Sequence, residues 1–190
     1  MAIRPDPGPA PTEASLHEAA LTYLARFAAT EAGLLRVLDR RIQRWRQSHP
    51  DPGAVADQVA AASKAARTVV GRLVAAGAVN DAVFAETKAR GLRRAGVSRL
   101  GAAARLVAKG IDPAQARAAL SDDPDEELGA ALILARKRRI GPFRPAPADP
   151  TGRQKELAVL ARAGFSREVA LRALTTDIQE AEARIADLRR

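Results

Sequence analysis

No cysteine occurs in this 190-residue chain. Disulfides, thiolate metal sites and cysteine nucleophiles are therefore excluded. Aromatic residues make up only 3% of it although 47% of its residues are hydrophobic, and much of the difference is alanine. Alanine is the strongest helix former and buries little surface, so the composition points to many slim, closely packed helices rather than one bulky core. β-branched and aromatic residues show no sustained alternation, and no segment reads as a strand. Histidine occurs twice, as His17 at a helix start and His49 in a loop. Both are expected at the solvated surface, and neither has partners at the spacing a proton shuttle or metal site needs. The glycines stand singly after helices, as caps, and form no phosphate-binding loop. An enzyme is not expected, nor is a cofactor or a metal. The opening MAIRPDPGPAP lacks the apolar centre of a signal peptide, and there is no run of about 18 uncharged apolar residues to span a membrane. The expectation is a cytoplasmic protein.

What is abundant is positive charge. The formal net charge is +9 with 31 basic residues, of which only Lys64, Lys88, Lys109, Lys137 and Lys155 are lysines. A surface of this sign attracts polyanions and speeds encounter with them. Arginine together with alanine is also what a GC-rich genome produces, so charge alone does not decide for nucleic acid.

Helix punctuation divides the chain. Residues 1–13 are rich in proline and read as a disordered arm. Ser15 with Glu18 forms a capping box ahead of Leu16, Ala20, Tyr23, Leu24 and Phe27. Thr30 caps a second helix with Leu34, Leu35, Leu38, Ile42 and Trp45 on one face, broken by His49-Pro50-Asp51-Pro52-Gly53. A third helix spans about Ala54 to Ala76, and Gly77 sits where a left-handed cap belongs. Asn80 or Asp81 caps a helix ended by Gly96; Ser98 caps one ended by Gly110. Asp112-Pro113 with Gln115 opens a short helix, and Asp123-Pro124 repeats that grammar for a helix stopping at Gly141-Pro142. The acidic run from Asp122 to Glu127 suits a helix N-terminus better than a metal. A proline-rich loop, 142–150, follows. Thr151 with Gln154 then opens a helix ended by Gly164, Ser166 caps the last core helix, and a charged helical tail, 177–190, extends it.

The chain repeats internally. Leu106 to Leu120 aligns without a gap on Leu160 to Leu174, pairing Leu106 with Leu160, Gly110 with Gly164, Ile111 with Phe165, Ala116 with Ala170 and Leu120 with Leu174. Upstream, Arg93-Arg94-Ala95-Gly96 matches Arg138-Arg139-Ile140-Gly141. A looser first unit aligns Thr30, Leu34, Leu38 and Arg41 with Ser98, Ala102, Leu106 and Lys109. The expected fold class is all-α: three tandem three-helix repeats, at 14–79, 80–121 and 123–176, forming an elongated, curved array.

Basic residues recur with the repeat. Lys88, Arg90, Arg93 and Arg94 close one helix, and Arg136, Lys137, Arg138 and Arg139 close its counterpart. Cations there favour the helix dipole by about 0.3–1 kcal/mol each, which accounts for one or two per helix but not for four in successive units. They read as a ridge that contacts a regular polyanion, or acidic ridges on a helical polymer, extended by Arg99, Arg105 and Lys109. Arg36, Arg40, Arg41, Arg44 and Arg46 form a third cluster around Trp45. Trp45 itself is expected in the core or between units, because no other aromatic interleaves with the charges.

The order of motifs resembles the RecX family of recombinase regulators. Leu73, Gly77, Val79, Asn80, Asp81 and Phe84-Ala85 carry the strongest likeness. It continues through Arg90, Gly96, Leu106, Lys109-Gly110-Ile111 and Ala119-Leu120. Ala20-Leu21-Tyr23-Leu24-Ala25-Arg26 with Leu34, Leu38 and Arg41 fits the opening, and Gly164-Phe165-Ser166 to Ala173-Leu174 fits the last repeat. The chain departs from the family pattern around 44–63, in the proline-rich loop, and at Thr30-Glu31-Ala32. The resemblance implies a monomer whose repeats lie along the groove of a RecA filament on single-stranded or double-stranded DNA. It further implies a protein that blocks filament extension or lowers RecA activity without chemistry, and so modulates recombination, DNA repair and the SOS response. Two other classes fit the composition. One is a stand-alone DNA-binding protein or transcription regulator, with 98–110 and 112–120 as a helix pair resembling helix-turn-helix. The other is a non-catalytic protein–protein adaptor.

Overall fold

The computed structural model describes residues 8–190 and is helical throughout, with no strand among the described residues. The helices are α1 (Glu13–Leu24), α2 (Glu31–Ser48), α3 (Ala56–Ala75), α4 (Asp81–Arg94), α5 (Arg99–Ala108), α6 (Pro113–Ala118), α7 (Pro124–Arg138), α8 (Pro150–Arg162), α9 (Arg167–Thr175) and α10 (Ile178–Arg189). They divide into two compact units, one ending at Phe84 and one beginning at Ala85. The arm expected at 1–13 falls largely on residues outside the described ones. Its described end runs straight into α1.

Short polar side chains start nearly every helix, because the first amides have no intrahelical acceptor. Thr30 accepts from Gly33, Asn80 from Ala82 and Val83, Ser98 from Gly101, Asp112 from Ala114 and Gln115, Asp123 from Asp125, and Ser166 from Val169. Two caps differ from the sequence expectation. The box that opens α1 is Thr12 with Ser15, one turn earlier than Ser15 with Glu18. Asp149, followed by Pro150, caps α8 in place of Thr151. This is a third use of the aspartate–proline start, and it lay inside what read as loop.

Helix ends share one geometry. Gly77, Gly96, Gly110 and Gly164 all have positive φ. In each case the amide two residues past the last full turn reaches back to a buried leucine carbonyl: Ala78 to Leu73, Val97 to Leu92, Ile111 to Leu106 and Phe165 to Leu160. This is the Schellman closure, and it folds an apolar residue back onto the helix. α7 ends the same way at Arg139, a non-glycine residue at φ 54°, with Ile140 bonding to Ala135. The turn that closes α7 therefore lies at Arg139, and Gly141, also left-handed at φ 60°, follows two residues later.

In the first unit α2 packs on α3, and α1 on both. Leu16, Ala20, Leu34, Leu38, Ile42, Ala66, Val69 and Leu73 meet in the core. Each large aliphatic side chain there contributes about 1.5–3 kcal/mol through lost apolar exposure. Phe27 was expected to continue the α1 stripe. The helix stops at Leu24, and Phe27 is 53% exposed in the connection to α2.

In the second unit α7 is central. Residues from Leu128 to Ile133 are buried without a break, the signature of a helix covered on all sides. α8, α9 and α10 pack on it. The charged tail does not extend α9. Thr176 is extended, Asp177 caps a new helix, and α10 buries Ala181 and Ile185. Gly129 permits this approach, since a Cβ there would stand 3.2 Å from Leu188 of α10. Residues paired by the internal repeat share burial: Leu106 with Leu160, Ile111 with Phe165, and Ala116 with Ala170 are all buried.

Candidate basic interface

The caps set the register between α4 and α7. Asn80 corresponds to Asp123, and Gly96 to Arg139. Arg93 therefore matches Arg136, and Arg94 matches Lys137. Lys88 and Arg90 match Ala131 and Ile133, which are buried. The expected four-for-four ridge, built on pairing Gly96 with Gly141, is thus corrected to two equivalent positions.

Those two positions have structural partners. Arg93 is 2% exposed. Its Nε donates to Glu126 at 3.1 Å, another nitrogen lies 2.6 Å from Glu127, and a third donates to the Val97 carbonyl at 2.7 Å. Arg93 is therefore not a surface contact, contrary to the sequence reading. A buried guanidinium persists only with such compensation. Arg136 likewise pairs with Glu182 of α10 at 2.8 Å. One position on, Arg94 donates to the Arg190 carbonyl at 3.0 Å and Lys137 to the Ala95 carbonyl at 2.8 Å, though both side chains lie at the surface.

The acidic run explains this pairing. Asp122 forms an ion pair with Arg99. Glu127 also accepts the Arg99 amide at 3.1 Å. Asp125 lies 2.8 Å from Arg184 and 3.8 Å from Arg172. Hydrogen bonds from Arg184 to Glu180 and Asp125 hold that guanidinium even more firmly protonated than usual. The run thus serves as a helix start and as an internal counter-charge to the second unit's arginines. In the same unit Arg144 grips Glu156 with two nitrogens, at 3.1 and 2.5 Å, which ties the proline-rich segment to α8.

The remaining candidates lie at the surface. Lys88, Arg90, Arg105, Lys109, Arg138 and Arg139 are exposed, and the Arg99 side chain is half-exposed beside Asp122. In the first unit Arg36, Arg40, Arg41, Arg44 and Arg46 are exposed along α2. Trp45 is half-buried, and its indole N–H donates to the Gly8 carbonyl at 3.1 Å. His17 is exposed. His49 is not simply solvated: its ring meets Trp45 edge-on at 4.3 Å and its Nδ1 lies 3.0 Å from the Trp45 carbonyl. Among the described residues no group of three histidine or carboxylate side chains could hold a metal ion, and no helix is long and apolar enough to cross a membrane.

These features define an all-α protein with a cationic exterior, its helices closed by repeated left-handed caps. The chain is 40% identical over 166 residues to the regulatory protein RecX of Myxococcus xanthus, covering 85% of each. It is 38% identical over 110 residues to the regulatory protein RecX of Agrobacterium fabrum, covering 58% of this chain and 59% of that one. The crystal structure of RecX from Lactobacillus salivarius shares its fold with a TM-score of 0.60 at 19% identity, across 90% of this chain and 97% of that one. No protein-family model matches. The chain belongs to the RecX family of regulatory proteins.

Proposed function

We propose that this chain binds the RecA–DNA filament and inhibits its extension or activity, modulating homologous recombination, DNA repair and the SOS response. Family membership across 85% of the chain carries the reading. The protein acts by contact and without chemistry, as a cytoplasmic monomer with no cofactor. Its working parts are three repeats, 14–79, 80–121 and 123–176, a division supported for the last two by matched left-handed caps at Gly110 and Gly164 and by the shared burial of Leu106 with Leu160 and Ile111 with Phe165. The contacting side chains are Lys88, Arg90, Arg94, Arg99, Arg105, Lys109, Lys137, Arg138 and Arg139, which meet phosphates or acidic groups of the filament; Arg136 sits half-buried at their edge. Arg93 supports them from beneath.

The reading is tested by RecA-driven strand exchange with the full chain present in substoichiometric amounts. Strong inhibition is expected. Undiminished exchange at equimolar chain contradicts it. Inhibition should also weaken as salt rises, since phosphate contacts release counterions; a salt-insensitive effect points to a protein-only adaptor.

A further inference from the structure

The connection between α1 and α2 places an exposed phenylalanine, backed by the half-buried Tyr23, opposite arginines that make no ion pair among the described residues. The amides of Arg26 and Phe27 both bond to the Tyr23 carbonyl, at 3.1 and 3.0 Å. This turn holds Phe27 outward with 53% exposure. Its ring lies 5.2 Å from the Tyr23 ring, tilted by 41°, and the Arg26 guanidinium sits 5.7 Å from its centre. Across a cleft of about 410 Å³, α2 contributes Arg41 and Arg44, one turn apart, with Glu18 as the acidic member of the lining. None of Arg26, Arg41 and Arg44 takes part in an ion pair among the described residues. This contrasts with the second unit, where carboxylates neutralise Arg93, Arg99, Arg136 and Arg184.

Three cations gathered beside an exposed ring suit a ligand with both negative charge and a flat π face. An inorganic anion would leave the ring unused, and an apolar helix would bury unpaired guanidiniums at high cost. A duplex keeps its base faces stacked on one another. A single strand offers phosphates and an open base together, and stacking on an aromatic tolerates any base. We propose that this cleft of the first unit binds single-stranded nucleic acid, with one base on Phe27, supported by Tyr23, and the flanking phosphates on Arg26, Arg41 and Arg44. The site goes beyond the filament contacts assigned above: it lies in the other unit and holds an unstacked base as well as phosphates.

Binding of labelled oligothymidylate to the full chain, without RecA, tests it by fluorescence anisotropy over a salt series. The expected result is measurable affinity, weakened about tenfold by F27A and similarly by F27L, which keeps an apolar side chain but removes the ring. The double variant R41A/R44A should weaken binding and flatten the log–log salt slope by about 1.4, the value for two lost phosphate contacts on a single strand. All substituted side chains are exposed, so helicity by circular dichroism should not change. The proposal is overturned if an abasic strand binds as tightly as oligothymidylate, if both Phe27 variants keep full affinity, or if polyglutamate competes as well as the strand does. Because RecA is absent, such a failure leaves the strand-exchange result standing on its own.

Discussion

The Ser98 hydroxyl donates to the Ala163 carbonyl at 2.6 Å while accepting the Gly101 amide at 3.1 Å. One buried side chain thus caps α5 and ties its start to the end of α8. Gly164 makes room for this contact, having φ +88° and a position where a Cβ would stand 2.7 Å from Ser98 Oγ. Gly164→Ala should therefore cost about 1–3 kcal/mol, from the left-handed backbone and the displaced hydroxyl. Ser98→Ala should cost about 1–2 kcal/mol, from the lost cap and an unsatisfied carbonyl. Urea denaturation checks both; no change in midpoint for Gly164→Ala would show that the contact yields freely.

Arg93 and its surface neighbours should separate cleanly. Arg93→Met leaves Glu126 and Glu127 facing each other without their cation and should destabilise the fold by about 2–4 kcal/mol. The carboxylates keep some solvent, which places the loss toward the lower end. Arg90→Ala with Arg94→Ala should stay within about 0.5 kcal/mol of wild type and still weaken filament inhibition. Thermal melts beside inhibition assays distinguish the two. A stable Arg93→Met protein would show that the acidic run needs no internal counter-ion.

Arg139 combines a strained backbone with a candidate contact. Arg139→Gly should raise stability by about 0.5–1 kcal/mol, since glycine adopts the left-handed cap at little cost. The same change removes a surface cation, so inhibition should fall as the melting temperature rises. Loss of stability instead would mean that the side chain contributes more to packing than its exposure indicates.

α10 is part of the core. Ile185→Ala should cost about 2–4 kcal/mol, as other buried aliphatic truncations do. Leu171→Ala, at a side chain 43% exposed, should cost far less. Equal effects in denaturant titrations would contradict the burial of α10 on α7.

Much of this architecture is readable in the residues because caps are local chemistry. Asp112-Pro113, Asp123-Pro124, Ser98 and Ser166 each announce a helix by a side chain that can reach an amide two or three residues on. Periodicity is weaker at marking ends. The spacing Leu16, Ala20, Tyr23, Leu24, Phe27 continues smoothly past Leu24, where α1 stops, and so Phe27 looked like core. The α10 segment was obscured by its charge, since seven of residues 177–190 are Asp, Glu or Arg and only Ala181 and Ile185 are buried. The site was less legible than the fold. Arginine in a helical sequence looks the same whether it faces solvent or a glutamate from another helix. Arg93, distant in sequence from Glu126 and Glu127, could be recognised as buried only after α4 and α7 were placed together. The acidic run was the available signal, because excess carboxylates in a basic chain tend to find internal partners.

The most direct test of the filament reading is DNA-dependent ATP hydrolysis by RecA with increasing amounts of wild-type chain or of a variant in which Lys88, Arg90 and Arg94 are all alanine. Hydrolysis should fall steeply at substoichiometric wild-type chain and far less with the equally folded variant. Full hydrolysis at equimolar wild-type chain, or identical inhibition by both proteins, would contradict the account.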